Sequence, residues 1–311
     1  MKQSVFGCSA LGLCAVAIFA GCGGSQPPIG APSSVPQRIA ESARNADSAP
    51  LLYVSNDGEQ HNVTVYPAGA TDPSPIEVIS SGLDLPGGIC LDGQGTLYVI
   101  DLDGWVAEYS AGKTKPSKII TKGMSDPVFC AIDSEGNLWV TNAGGPNITE
   151  YLKGSTKPHT VITKDLVYPV GIAIDHSGNI YVSNGGLYDP TPNVIVYEPH
   201  SKSPSRTITD GVTWPVGITV DANGTLYVAN LKQNNVEEYR SGQNHPYQTI
   251  TDAMDDPLAV TVNKRGWLYV TNFGKVEVLE FSPGSITPSG RQISKGVYNP
   301  YGTAYSPPLL P

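Results

Sequence analysis

The sequence predicts an all-β domain, a six-bladed β-propeller with four-stranded blades. Three observations predict it. A Leu-Tyr-Val-like strand motif recurs six times: LLYVSN from Leu51, TLYVID from Thr96, NLWVTN from Asn137, NIYVSN from Asn179, TLYVAN from Thr225 and WLYVTN from Trp267. Its aromatics, Tyr53, Tyr98, Trp139, Tyr181, Tyr227 and Tyr269, are separated by 45, 41, 42, 46 and 42 residues, the period of a propeller blade. The repeats also begin on a second strand and end on Pro300-Tyr-Gly-Thr-Ala-Tyr-Ser306, a first strand with no successor. Pairing these two halves completes one blade and seals the ring, which removes open sheet edges.

The elements follow in order within each unit. A first strand starts at a proline, as in Pro86-Gly-Gly-Ile-Cys-Leu-Asp92, Pro169-Val-Gly-Ile-Ala-Ile-Asp175 and Pro215-Val-Gly-Ile-Thr-Val-Asp221. An Asp-x-x-Gly segment follows, Asp92 to Gly95, Asp133 to Gly136, Asp175 to Gly178 and Asp221 to Gly224, with Asn263 to Gly266 as the variant. The Asp or Asn caps a tight turn, and Gly supplies the positive φ of a short hairpin. These aspartates are therefore expected to be turn formers and not acids. The second strand is a continuous apolar run, which argues burial on both faces. The third alternates, as in Asn-Val-Ile-Val-Tyr197, and the fourth is short and polar, as in Thr207-Ile-Thr209. Burial should fall from the hub to the rim.

Before the repeats, residues 1–22 read as a signal segment: Lys2, an apolar stretch from Val5 to Phe19, then Ala20-Gly21-Cys22. The stretch is short for a membrane span. Its ending resembles a bacterial lipobox with Cys22 as the lipidated residue, although Phe19 stands where Leu is usual. Residues 23–50, rich in Gly, Ser, Pro and Ala, read as a disordered tether. Residues 51–311 form the propeller. The chain is thus expected to be an exported bacterial lipoprotein, periplasmic or on the cell surface, monomeric, and touching the membrane through its lipid anchor only.

The formal net charge of −9, with no cluster of cations, disfavours nucleic acid as a partner. Two cysteines remain in the domain, Cys90 and Cys130, too few for a metal cage. Adjacent residues of a strand point to opposite faces. Cys90 lies four residues after its proline and Cys130 three after its own, so their side chains either face each other across one blade junction or point apart.

The succession Pro-x-Gly-Ile-Ala-Ile-Asp, Gly-Asn-Ile-Tyr-Val and Asn-x-Ile-x-Val-Tyr resembles NHL repeats, and Tyr269-Val-Thr-Asn272 matches the YVTN repeat. The resemblance spans about Leu51 to Ser306 and implies that loops entering each first strand and leaving each second strand share one face around the channel, where ligands are expected. Such repeats occur in scaffolds, binding modules and enzymes alike.

On that face, Asn56, Asp101, Asn142, Asn184, Asn230 and Asn272 close the second strands. They form either a carboxamide ring able to hold a cation or polar ligand, or local turns made by bonding to their own backbone. Six-fold repetition favours turns. Beside the prolines, Asp126, Tyr168, Trp214 and Asp256, with Tyr301, place aromatics next to carboxylates, a surface suited to a sugar, peptide or protein. Tyr168 and Trp214 would equally serve as wedges between blades. The loops 57–62 and 185–193 are longer than their counterparts. Glu108, Glu150, Glu238 and Glu280 are expected as a solvated stripe paired with cations.

The axial positions are apolar and small. No cofactor, metal or catalytic residue is implied. Gluconolactonase-type lactonases share the architecture, but their Glu-x-Pro-x-Trp motif is absent, and no histidine cluster like that of streptogramin-type lyases forms; of the histidines only His61 falls on the mouth face. The expected function is a non-catalytic binding module for a protein, peptide or glycan. The alternative is a propeller lyase or lactonase with a metal at the channel mouth, using residues such as Asp101, Asn142 and Asn184.

Overall fold

The structure is a computed structural model that describes residues 49–186 and 190–308. The leader, Cys22 and the tether up to residue 48 lie outside the described residues, as do 187–189 of the second long loop. The described chain forms six four-stranded antiparallel sheets. The inner strands are Pro300–Ser306 in blade 1, Pro86–Leu91 in blade 2, Pro127–Ile132 in blade 3, Pro169–Ile174 in blade 4, Pro215–Val220 in blade 5 and Pro257–Val262 in blade 6. Blade 1 is completed by the chain's last strand, which pairs with Leu51–Asn56 from Leu51 opposite Ser306 to Asn56 opposite Pro300. Ring closure by the C-terminal strand is as expected.

Burial follows the expected gradient. The second strands Leu97–Asp101, Leu138–Asn142, Ile180–Asn184, Leu226–Asn230 and Leu268–Asn272 are buried at every position, because sheets stack on both of their faces. The outer strands, such as Lys118–Ile120, bury only their last residue. Hairpins between first and second strands are set by one carboxylate or carboxamide oxygen. Asp92 Oδ1 accepts the Gln94 and Thr96 N–H groups at 2.9 and 2.8 Å, and Asp221 and Asn263 repeat the arrangement. Gly95, at φ 80°, completes the turn in a region that a side chain disfavours.

Each inner strand carries one irregularity. Pro86 faces Asp101 but Ile89 faces Val99, and the same extra residue recurs in the other blades. This is a β-bulge, and it frees the N–H of the second residue after the proline. In four blades a hydroxyl one residue before the end of the second strand takes that N–H. Gly302 donates to Ser55 Oγ at 2.8 Å, Phe129 to Thr141 Oγ1 at 3.0 Å, Gly171 to Ser183 Oγ at 2.6 Å and Ala259 to Thr271 Oγ1 at 2.6 Å. The same hydroxyls donate onward to the next blade: Ser55 to Gly87 O, Thr141 to Val170 O, Ser183 to Val216 O and Thr271 to Tyr301 O. One atom thus satisfies a bulge and ties two blades.

The other two junctions use different ties. Blade 2 has Ile100 at the hydroxyl position, and there Cys90 and Cys130 join blades 2 and 3 in a disulfide, with Cα atoms 5.8 Å apart. Their side chains therefore meet across the junction, the first of the two arrangements that the strand geometry allowed. Blade 5 has Ala229, and its junction is closed by direct backbone approach: a Cβ on Gly217 would lie 2.6 Å from the Leu258 carbonyl oxygen. Farther out, the third-strand tyrosines Tyr66, Tyr109, Tyr151, Tyr197 and Tyr239 donate their hydroxyls to carbonyls of the segment leading into their own blade, at 2.6 to 2.9 Å. Phe281 occupies this place in blade 6.

The ring is closed a second time at the rim. The loop after the third strand of blade 1 reaches blade 6, where Asp72 N–H donates to Gln292 O and Asp72 Oδ1 accepts Ser294 N–H, Ser294 Oγ–H and Lys295 N–H. These donors hold the exposed Asp72 carboxyl down at about 2.

The glutamate stripe is only partly solvated, contrary to expectation. Glu108 pairs with Lys118 at 3.0 Å, whereas Glu238 and Glu280 are buried at 3% and 0% exposure. Glu238 accepts from Tyr247 Oη and Gln248 Nε2. Burial raises the Glu280 carboxyl, and Arg291, stacked on Trp267, opposes that rise. Alternation along an edge-proximal strand does not distinguish a face that meets solvent from one that the next blade covers.

Removing the Ser183 hydroxyl leaves a bulge N–H and a neighbouring blade's carbonyl unpaired in a dry junction. Ser183→Ala is expected to lower stability by about 1–3 kcal/mol, read from the urea midpoint. Ala229→Gly, at a junction with no hydroxyl, should leave those partners untouched and serves as the comparison.

Reduction is expected to raise the intact mass by two hydrogens, as the disulfide at the blade 2 to blade 3 junction opens; an unchanged mass after denaturing reduction would show that the two thiols are unpaired.

Candidate functional site

The channel has two unlike ends. At the mouth, where second strands end and inner strands begin, the six strand-end residues bond the segments that lead into the inner strands. Asn56 Oδ1 accepts Tyr298 N–H at 2.9 Å, Asn142 Oδ1 accepts Ser125 N–H at 3.0 Å, Asn184 Oδ1 accepts Val167 and Tyr168 N–H, Asn230 Oδ1 accepts Thr213 N–H and Asn272 Oδ1 accepts Asp255 N–H. Asp101 Oδ2 does the same for Asp84 and Leu85. Their amides donate to the next strand, Asn56 to Asn62 and Thr64, Asn230 to Asn235 and Asn272 to Glu277. The structure therefore places these residues as latches that hold each inner strand's approach: five grip a segment seventeen residues upstream, and Asn56 grips the segment before the C-terminal strand, at Tyr298. Asp101 also bonds its own local backbone, accepting the Asp103 N–H, and the Asn56 amide donates a long bond to Val54 O. Burial raises the Asp101 carboxyl and the three N–H groups work against that rise.

Four of the six segments so latched end beside a proline in an uncommon conformation. Asp126, Trp214, Asp256 and Asn299 have φ of 48°, 51°, 51° and 47°, a region bulky residues rarely enter. Their carbonyls accept an N–H from the residue after each latch, as Ala143 to Asp126 O and Leu231 to Trp214 O, and this double grip holds the strain. Trp214 Nε1 is buried without a hydrogen-bond partner. Tyr168 is half-buried against the main apolar cluster, and Gly186 lies beside its ring. Asp256 is raised by burial and then by Asp255. Tyr298, one residue farther out, is 49% exposed.

Tyr301, expected on the ligand face, is buried at 1% exposure and stacks at 5.6 Å from Phe129. With Val128, Val170, Val216 and Leu258, all buried, it plugs the mouth end. Over this plug sits the first long loop. Asp57 N–H donates to Asn299 O; burial lifts its carboxyl from 3.8 to about 6, against the pull of His61. His61, at φ 44°, has a buried Nδ1 without a hydrogen-bond partner. The sequence showed this loop as long but gave no sign that its carboxyl is desolvated.

The other end of the channel is hollow. A cavity of about 140 Å³ lies between the later halves of all six inner strands, lined by Ile89, Cys90, Ile172, Ile218, Val260 and Thr303 among others. Among the described residues no three His, Cys, Asp or Glu side chains group as metal ligands, and no helix is long and apolar enough to cross a membrane.

No family model matches the chain, and no curated protein sequence matches it. Similarity appears in solved structures. A chain from the crystal structure of a nidogen/laminin complex superposes with a TM-score of 0.71 at 18% identity, covering 83% of this chain and 98% of that one. A protein of unknown function from Bacteroides caccae gives a TM-score of 0.68 at 12% identity over 83% and 99%. The shared feature is the fold. At these identities neither match carries a residue across to this chain, and the site stands on the geometry above.

Because the folded state raises the Asp57 carboxyl, it holds that proton more tightly than the unfolded chain, so stability contributed by this group falls as pH rises from about 4 to about 6. Asp57→Asn is expected to match the parent below pH 4 and to be more stable by roughly 1–2 kcal/mol above pH 6, less than full linkage because the side chain is partly hydrated. Thermal midpoints across pH 3.5 to 8, about the range of those two values, check the sign.

Proposed function

We propose that the chain is exported, lipid-anchored through Cys22 and built on NHL/YVTN-like repeats, and that it acts as a monomeric, non-catalytic binding module at a bacterial cell envelope. Its partner is a protein, peptide or glycan seated on the channel-mouth face. The observation that carries this reading is the rim itself. Tyr168, Trp214 and the exposed Tyr298 stand beside Asp126 and Asp256 on segments whose backbone is pinned at both N–H and carbonyl. Rigid aromatics with adjacent polar groups bind with little ordering entropy. The likeness to a chain solved in a nidogen/laminin complex supports protein binding as a use of such a ring.

A lyase or lactonase would need Asp101, Asn142 and Asn184 to turn their oxygens toward the axis. Those oxygens accept backbone N–H groups that would be left buried and unpaired, a loss of about 1–3 kcal/mol each. The geometry thus favours the binding role.

Two measurements test the proposal. Tyr298→Ala in the full chain is expected to weaken capture from a peptide and glycan panel about tenfold, the size of a moderate hot spot, with no effect of a chelator. Cys22→Ser is expected to release the chain from the membrane fraction and to block fatty-acid labelling. Turnover of a lactone with stoichiometric bound metal would overturn the binding role, and unchanged membrane association of the Cys22 variant would overturn the anchor.

A further inference from the structure

The hollow end of the channel is not used by the mouth face, and it has the form of a separate site. At one level around the axis all six inner strands place a small residue, Cys90, Ala131, Ala173, Thr219, Thr261 and Ala304, while the residues on either side are mostly Ile, Leu or Val. Larger side chains there would fill the channel and gain the dispersion contacts that a void forfeits. The result is a cavity of about 140 Å³, closed toward the mouth by Tyr301 and Phe129. An apolar cavity of about 150 Å³ accepts a molecule the size of benzene.

The wall is two-sided. Blades 2 to 4 offer Ile89, Ile132, Ile172 and the Cys90–Cys130 disulfide. Blades 5, 6 and 1 offer three threonines in succession. Thr261 Oγ1 donates to Thr303 O at 2.8 Å, and Thr303 Oγ1 donates to Thr261 Oγ1 at 3.1 Å. The Thr303 oxygen keeps acceptor capacity, and the half-exposed Thr219 brings a hydroxyl that can donate or accept. The described lining holds no ionisable acid or base other than the Tyr305 phenol, so a charged ligand would be left uncompensated.

We propose that this end of the channel binds a small apolar ring bearing one hydroxyl, the phenol class, with the ring against blades 2 to 4 and the hydroxyl accepting from Thr219 and donating to Thr303. The mouth partner is not required for it.

Fluorine NMR of the full chain titrated with 4-fluorophenol and with fluorobenzene tests the proposal. Saturable one-site binding of 4-fluorophenol is expected. Thr219→Val, which keeps the shape, should weaken 4-fluorophenol about fivefold, one ordinary hydrogen bond, and leave fluorobenzene unchanged. Ala131→Phe, shown folded by its circular dichroism, should abolish both. The proposal is overturned by the absence of saturable binding, by binding that persists in folded Ala131→Phe, or by a Thr219→Val effect that is nil or equal for the two probes; should Ala131→Phe not fold, the Thr219 comparison decides alone.

Discussion

The ring's integrity rests on what crosses from blade to blade: apolar clusters pack the junctions and span the hub, and the polar crossing at the hub is made chiefly by a hydroxyl. Ser55, Thr141, Ser183 and Thr271 each take the N–H freed by a bulge and hand their own proton to the next blade's carbonyl. In a site this dry, neither group can turn to water, and an unpaired one would cost more than the bond contributes net. The bulge and the hydroxyl are therefore a single device. Without the bulge the N–H would face the second strand's ladder, and without the hydroxyl the bulge would leave a buried donor.

Where that device is missing, its substitutes differ in kind. Ile100 brings apolar bulk, and the junction it faces is covalently joined through Cys90 and Cys130. Ala229 brings almost nothing, and Gly217 lets the backbones touch. The six junctions are thus similar in shape and unlike in their ties at the hub: four polar, one covalent, and one made by backbone approach with apolar packing. Their sensitivities to loss of a hydroxyl, to reductant and to side-chain volume are correspondingly separate. The mouth latches add a further layer, since each strand-end side chain fixes the segment that delivers its own blade's proline to the hub.

Repetition made the architecture legible. The LYV strands, the prolines before them and the Asp-x-x-Gly hairpins each repeat at the blade period, and the split of blade 1 between the two ends of the chain follows from counting them. The site was legible only in part. Asn56, Asn142, Asn184, Asn230 and Asn272 were recognisable as recurrent strand ends, but their oxygens accept from the segment that enters the blade's inner strand, seventeen residues earlier for four of them and at Tyr298 for Asn56, a partner that a strand-end motif does not reveal. The Ser or Thr before Asn56, Asn142, Asn184 and Asn272 resembles any strand residue until the bulge is seen. Glu280 and Glu238 follow the same pattern as Glu108 along their strands, and only the packing around each separates buried from paired. Tyr301 was visible as an aromatic after a proline; that it plugs the channel depends on Phe129, two blades away.

The chain's first strand is enclosed and does not lie at an edge: Leu51–Asn56 runs between Pro300–Ser306 on one side and Asn62–Pro67 on the other. A pull along that strand's axis is consequently borne in shear by two rows of hydrogen bonds loaded together, so mechanical load applied there falls on the joint that completes the toroid.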